Sequence, residues 1–299
     1  MKKVLISLFA VAAMVSCSND ELVELNQQAI AFGDAFVDNA TRADYSQSGN
    51  LVQSFKVYGT ANDVLIFDGD VVTRPDDLDG YDNKTAWECT ETQYWVPGAT
   101  YNFAAIVDGG ESGVAAMPTT IDHTVVTGDE DLLYAEATAS VNAAGTVTDL
   151  TNDKVAFTFS HLLSKLYFTV NSKMTDYTVT PISITVTGVQ KSGTYTIEDE
   201  TWAKDGVDTT LLEFVNGSGV LQSHQIIPVE QTLNVTIVYD TYFKGEKISR
   251  ATKEAIIPAR TYAAKTVYGI TANIGGKEIE FTVNAFADFT AGTGTEINM

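Results

Sequence analysis

Ile279-Glu280-Phe281-Thr282-Val283-Asn284-Ala285-Phe286-Ala287-Asp288-Phe289-Thr290-Ala291 reads as one long strand. Ile279, Phe281, Val283, Ala285, Ala287, Phe289 and Ala291 share one parity; Glu280, Thr282, Asn284, Phe286, Asp288 and Thr290 take the other, near-strict alternation broken only by Phe286. Side chains alternate between the faces of a strand, so this period of two sets an apolar stripe against a polar one. The run is longer than the roughly five or six residues usual for a strand. It ends in Gly292-Thr293-Gly294-Thr295, a flexible tail. Such a strand has two fates. It can complete its own sheet, or it can fill an open groove in a neighbouring chain.

Working back along the chain, the same period recurs. Ile182-Ser183-Ile184-Thr185-Val186 alternates strictly, and Val235–Tyr239 and Thr266–Ile270 continue it. Val155-Ala156-Phe157-Thr158-Phe159 and Leu166-Tyr167-Phe168-Thr169-Val170 flank Ser160–Lys165. In the first half, Phe55–Thr60 and Val64–Phe67 alternate. Tyr94-Trp95-Val96 and Tyr101–Ile106 follow, with Pro97-Gly98 as a turn between them. Roughly one residue in eight is threonine, and valine, isoleucine, tyrosine and phenylalanine are plentiful, which is strand composition. Helical period is scarce; residues 129–137 and 160–165 could each hold a turn or two. Short strands with frequent turns predict an all-β chain of two tandem β-sandwich domains, divided near residue 160. There is no short internal repeat, which argues against a solenoid or propeller.

Charge and cysteine content narrow the function. The chain has 299 residues, 18 Lys+Arg against 39 Asp+Glu, a net charge of −21 and two cysteines. A surface this acidic repels phosphate backbones, so no nucleic acid is expected as a partner. Cys89 has no second cysteine in a folded domain, which excludes a disulfide scaffold and a cysteine zinc site. His123, His161 and His224 have no metal-ligand spacing, and His161 reads as a structural histidine between two strands. No serine elbow and no phosphate-binding glycine loop is present. An acidic loop, Asp76–Asn83, resembles a calcium loop, but Pro75 and Ala86 stand where ligands are needed. Asp208-Thr209-Thr210 matches a short O-glycosylation pattern of Bacteroidota. No catalytic residue, cofactor or metal is expected, and the chain does not read as an enzyme. Trp87 or Trp202, if exposed, could stack a sugar, which leaves a non-polymerising glycan-binding lipoprotein as an alternative.

The N-terminus is an address. Lys2-Lys3 precede an apolar run from Val4 to Val15, which as a helix is about 18 Å long, too short for a hydrocarbon core of about 30 Å. Residues 1–16 therefore read as a signal peptide. Met14-Val15-Ser16-Cys17 resembles a bacterial lipobox, which implies cleavage before Cys17 and its acylation; an ordinary secretory signal is the alternative. Ser18-Asn19-Asp20-Glu21 resembles the surface-export signal of Bacteroidota lipoproteins. Residues 17–42 form a polar leader with one apolar island. There Ile30, Phe32 and Phe36 share a parity, as a half-buried strand requires. Arg42-Ala43 follows, inside an exposed loop.

The order of these features resembles the fimbrillin family, the subunits of Bacteroidota type V pili. Ser54-Phe55-Lys56-Val57-Tyr58-Gly59 is similar to the family's first mature strand. Tyr94-Trp95 with Tyr101-Asn102-Phe103 is similar to its aromatic hairpin. Phe157-Thr158-Phe159-Ser160-His161-Leu162-Leu163-Ser164-Lys165-Leu166 is similar to the segment at its domain junction. Gly193-Thr194-Tyr195 with Trp202, and Ile257–Tyr262, also fit. A departure lies near the last strand, where Phe286 or Phe289 stands in place of a tryptophan common in relatives. The resemblance implies transthyretin-like, Greek-key sandwiches at 43–160 and 161–299. It also implies a lipid-anchored precursor carried through the periplasm to the outer membrane. A trypsin-like, Arg-specific protease would cut between Arg42 and Ala43 and release the leader strand. The strand of Ile279, Phe281, Val283, Ala285, Ala287 and Phe289 would then be donated to another fimbrillin subunit in a homopolymer or mixed pilus. Adhesion to surface glycans or proteins would follow, in a shaft, tip or anchor role. The alternative for Arg42 is a solvated loop residue.

Overall fold

The computed structural model describes residues 28–37, 52–74, 87–108, 117–129, 131–150, 154–215, 221–275 and 278–287. Cys17, Arg42, Ala43, Phe289 and the Asp76–Asn83 loop lie outside them. Among the described residues every regular element is a strand. The fold is all-β, as the composition and period of two require.

In the first half the strands are β1 (Phe32–Val37), β2 (Ser54–Ala61), β3 (Val64–Thr73), β4 (Glu88–Cys89), β5 (Thr100–Asp108), β6 (Thr120–Thr124), β7 (Leu132–Val141), β8 (Val147–Thr148) and β9 (Val155–His161). All but β6 join one sheet in the order β1-β9-β7-β5-β2-β3-β4, with β8 also on β7. Neighbours run antiparallel except β1, which lies parallel to β9. Its buried core is aromatic, made of Phe32, Phe55, Phe67, Trp87, Trp95, Tyr101, Phe103, Phe157 and Phe159, each no more than 7% exposed.

The second half has β10 (Ser164–Ser172), β11 (Tyr177–Gln190), β12 (Ser192–Thr196), β13 (Thr201–Lys204), β14 (Thr209–Val215), β15 (Ser223–Ile226), β16 (Glu230–Phe243), β17 (Glu246–Thr261), β18 (Thr266–Ile274) and β19 (Ile279–Ala287). Two four-stranded sheets, β15-β10-β18-β19 and β14-β11-β16-β17, face each other across a second core. Phe168 of one sheet meets Phe214 of the other edge to face, with centroids 4.8 Å apart. This is sheet-on-sheet packing, in which inward residues alternate with outward ones along each strand.

Where the sequence suggested turns of helix, the structure has strands. Residues 132–137 belong to β7. Residues 160–165 are the end of β9, a bend at Leu162-Leu163, and the start of β10. Leu162 and Leu163 are both fully buried in the second core. His161 Nδ1 stands 2.8 Å from Asp131 Oδ2, so its polar edge is met by a carboxylate at the bend.

A second departure concerns residues 117–129. By position they belong with the first half. In space β6 pairs antiparallel with β12, in a three-stranded sheet ordered β13-β12-β6. Val125 N–H donates to Lys191 O at 2.8 Å, Ile197 N–H to Thr119 O at 3.0 Å, and Thr194 Oγ1 to Asp122 Oδ1 at 2.7 Å. Ile121 and Val125 are buried in the second core. The segment between β5 and β7 thus straps the first half to the second. Trp202 adds to the same contact: its indole N–H donates to Leu162 O at 2.8 Å, and its ring packs on Tyr195.

Candidate functional site: a strand-filled slot

The leader island does form a strand, and its place in the sheet is unusual. β1 hydrogen-bonds to both ends of the eight-stranded sheet. On one side it lies parallel to β9, pairing Phe32 with Val155 and Val37 with Phe159, and Val155 N–H donates to Ala31 O at 2.8 Å. On the other side it meets the segment beyond β3. Trp87 N–H donates to Phe32 O at 3.0 Å, Ile30 N–H to Gln93 O at 2.8 Å, and Trp95 N–H to Gln28 O at 3.0 Å. Residues 28–37 therefore close the gap between β9 and residues 87–95.

The apolar contacts follow the same plan. The Phe32 ring is fully buried and meets four others: Phe67 at 5.3 Å, Phe103 at 6.0 Å, Phe157 at 6.2 Å and Phe55 at 6.3 Å between centroids. Ile30, Ala35 and Val37 are buried beside it. Full burial of an Ile, Phe or Val side chain is worth about 1.5–3 kcal/mol, so the three large ones together contribute on the order of 5 kcal/mol.

Phe36 does not share the inward face. The register shifts between Gly33 and Ala35, and this bulge reverses the parity that Ile30 and Phe32 set. Ala35 and Val37 then point inward and Phe36 is half-buried on the other side. Gly33 sits where the backbone comes close to its neighbours. A Cβ there would stand 3.0 Å from Lys154 Cδ, which leaves little room for a side chain.

The expected aromatic hairpin is also rearranged. Pro97-Gly98 does turn the chain, with Gly98 at φ +77°, the left-handed conformation such a turn demands. Tyr94 and Trp95, however, pair with Ala29 and Gln28 of the leader and not with β5. Trp95 meets β5 through its ring, which packs edge to face on Tyr101 at 4.7 Å and on Phe103 at 6.2 Å.

At the other end of the chain, β19 is an edge strand. It pairs with β18 alone, from Ile274↔Ile279 to Thr266↔Ala287. Ile279, Phe281 and Val283 are half-buried and pack on the second core, while Glu280, Thr282 and Asn284 are exposed. The inward stripe stops there: Ala285 is exposed, and Phe286, on the opposite parity, is 50% exposed. The strand thus takes the first of its two fates, along an edge whose outer side is unpaired within the described sheet. An exposed Lys173–Glu280 ion pair ties its start to β10.

The remaining candidates do not converge. Trp87 is 7% exposed and Trp202 is half-buried with its N–H bonded, so neither offers an open sugar platform. His224 Nε2–H donates to Glu213 O at 2.7 Å. Among the described residues no three His, Cys, Asp or Glu side chains are grouped to hold a metal. Burial raises the Cys89 thiol pKa, which makes it a poor nucleophile.

Comparison with known proteins agrees with this architecture. The chain aligns in fold with a fimbrial protein from Bacteroides vulgatus, at 15% identity and a TM-score of 0.57, covering 87% of this chain and 99% of that one. A candidate cell-adhesion protein from Bacteroides uniformis aligns at 15% identity and TM-score 0.56, over 86% and 97% of the two chains. Another such protein, from Bacteroides ovatus, aligns at 11% and 0.56, over 88% and 98%. A search of curated protein sequences finds no match. The sequence profile described as Fimbrillin-like matches residues 41–299. The chain therefore belongs to the fimbrillin-like family, whose members are structural proteins of fimbriae and not enzymes.

Proposed function

We propose that this chain is a polymerising subunit of a cell-surface fimbria, exported as a lipoprotein and activated by removal of its own leader strand. The observation that carries the reading is the double pairing of residues 28–37. One strand closes the first sheet on both sides, and its removal would leave a slot lined by Phe55, Phe67, Phe103 and Phe157. Unpaired backbone on both walls and an exposed apolar floor are costly, so an emptied slot favours a replacement strand.

Cys17 carries the lipid of the precursor in this reading, and an Arg-specific protease cuts after Arg42. β19 is the replacement. At about 3.3 Å per residue, β19 and residues 28–37 each span about 30 Å. Ile279-Glu280-Phe281 repeats the spacing of Ile30-Ala31-Phe32, so Phe281 of one subunit can take the Phe32 pocket of the next.

Polarity supports this. β9 runs toward the bend at Leu162-Leu163, and β1 lies parallel to it, so the slot opens at the pole farthest from the bend. β10 leaves the bend, β18 is parallel to β10, and the β18–β19 turn lies at the opposite pole. That turn is closed by Gly275 N–H donating to Glu278 O at 2.9 Å. A β19 swung out about it projects away from its own slot and toward a neighbour's. Such a contact does not close on itself and propagates as a filament. The division into two sandwich domains near residue 160, bridged by the 117–129 strap, gives this subunit its two poles.

The test uses protein lacking residues 1–17, treated with an Arg-specific protease and followed by intact mass and unboiled gel electrophoresis. Cleavage after Arg42 with a ladder of SDS-resistant oligomers is expected, and Arg42→Ala should abolish both without changing the melting curve. Normal ladders from Arg42→Ala would sink the maturation step. Cleaved wild-type protein that stays monomeric would sink polymerisation.

A further inference from the structure

Two exposed apolar groups sit at opposite ends of the molecule, and neither is explained by a core. The first is at the far end of the second half. Tyr177, which opens β11, and Phe243, which closes β16, are paired in register, and their rings pack at 4.9 Å. Both are half-buried, yet neither belongs to either buried core. Ile248 on β17 stands close by and is 54% exposed, and Lys244 lies over the Phe243 ring at 5.2 Å. This tip is firmly built. Asp240 is buried beneath it, accepting from Lys247 Nζ at 2.6 Å and from Arg250 Nε and a terminal nitrogen at 2.7 and 2.9 Å. Arg250, then Lys247, hold the Asp240 carboxyl well below the usual carboxylate range. The carboxylate stays charged at neutral pH, and its bonds to Lys247 and Arg250 join β16 to β17.

The second group, a collar of exposed apolar residues, lies on two turns at the pole where the leader strand begins. Val64 and Leu65 open β3 at the β2–β3 turn, and Tyr94 and Val96 flank the buried Trp95; they are 55%, 39%, 47% and 53% exposed. The turns that carry them are bonded together at this pole. Asn62 N–H donates to Thr100 O at 2.9 Å, Val96 N–H to the Tyr101 hydroxyl at 2.6 Å, and Gly98 N–H to Val141 O at 2.9 Å. Scattered apolar residues are ordinary on a surface; four on two bonded turns beside one strand entrance make a candidate docking patch.

We infer that the Tyr177–Phe243–Ile248 tip of one copy of this chain seats on the Val64–Leu65–Tyr94–Val96 collar of a second copy. The inference rests on the strand-exchange reading, and the reach of the chain commits it to this occupant. The tip and the root of β19 share one pole; the collar and the slot mouth share the other. With Ile279 at the Ile30 position, only residues 275–278 link the donor body to the mouth, a reach of about 13 Å at ~3.3 Å per residue. A tether that short holds the two poles against each other. Strand exchange then supplies permanence, and the pole contact sets the angle between successive subunits.

Two measurements on the protein lacking residues 1–17 test this. In a Cys89→Ser background, Glu246→Cys and Val96→Cys variants are mixed, cut with the Arg-specific protease, and treated with a short bis-maleimide. Cross-linked dimers of one variant with the other are expected, appearing only after cleavage. Separately, Tyr177→Ser/Phe243→Ser should still unfold in one cooperative transition, at a somewhat lower temperature, and bind a synthetic peptide of residues 279–291 as wild type does once cleaved, yet polymerise at least tenfold more slowly. Polymers that form without cross-links, with the double variant growing at the wild-type rate, would overturn the pole contact and leave strand exchange standing. Cleaved wild type that neither polymerises nor takes up the peptide would overturn strand exchange, and the pole contact with it.

Discussion

The strands at the two ends of the described chain are built in opposite ways. β1 is bonded on both sides, fully buried at Phe32, and set against four aromatic rings. β19 is bonded on one side, half-buried at its three inward residues, and tied at its start by an exposed ion pair. β1 therefore contributes heavily to the first core, while β19 adds an outer layer to the second. Under the proposed function, this difference is what a subunit held monomeric until cleavage requires. In that reading the strand to be removed is held tightly and leaves only after a covalent bond is broken. The strand that would be donated is held loosely enough to move.

The comparison can be broken by mutation in the uncut protein. Phe32→Ala removes a ring from the centre of the aromatic cluster and should cost about 3–5 kcal/mol in urea unfolding of the first half. Phe281→Ala, on the half-buried face of β19, should cost only about 1–2 kcal/mol. Equal losses at the two sites would show that β19 is as integral as β1 and would count against its release. Lys173→Ala removes the exposed pair with Glu280 and should change global stability by no more than about 0.5 kcal/mol. Its useful readout is local: amide exchange in residues 279–287 should quicken while β18 stays protected. Unchanged exchange there would show that β18 pairing alone sets the opening of the strand.

Much of this was legible in the sequence because it is local. The alternation of Val155–Phe159 and Ile279–Val283 is carried by neighbouring residues and survives as inward and outward faces, whereas in Ile182–Val186 a register shift between Pro181 and Ser183 leaves Ile182 only half-buried. The aromatic phrase around Ser54–Gly59 and the phrase around His161 fall on β2 and on the β9–β10 bend. The leader island reads as a strand for the same reason. Phe36 was misplaced because a bulge at Gly33–Ala35 leaves no mark on a two-residue period until the partner strand is known. Residues 129–137 looked helical because a short apolar run has the same composition in either state, and only pairing with β5 and β9 decides it.

By itself, then, the sequence determined an all-β chain, an acidic composition, a strand at residues 32–37 and an amphipathic strand near the end. These depend on composition and on spacings of a few residues. Tertiary structure alone decided that β1 lies parallel to β9 and bridges to residues 87–95, that β6 crosses to β12, and that the slot mouth and the β19 root occupy opposite poles. Each joins segments tens of residues apart. Backbone hydrogen bonding is indifferent to residue identity, so strand partners are chosen by how the buried faces of the whole sheet fit together.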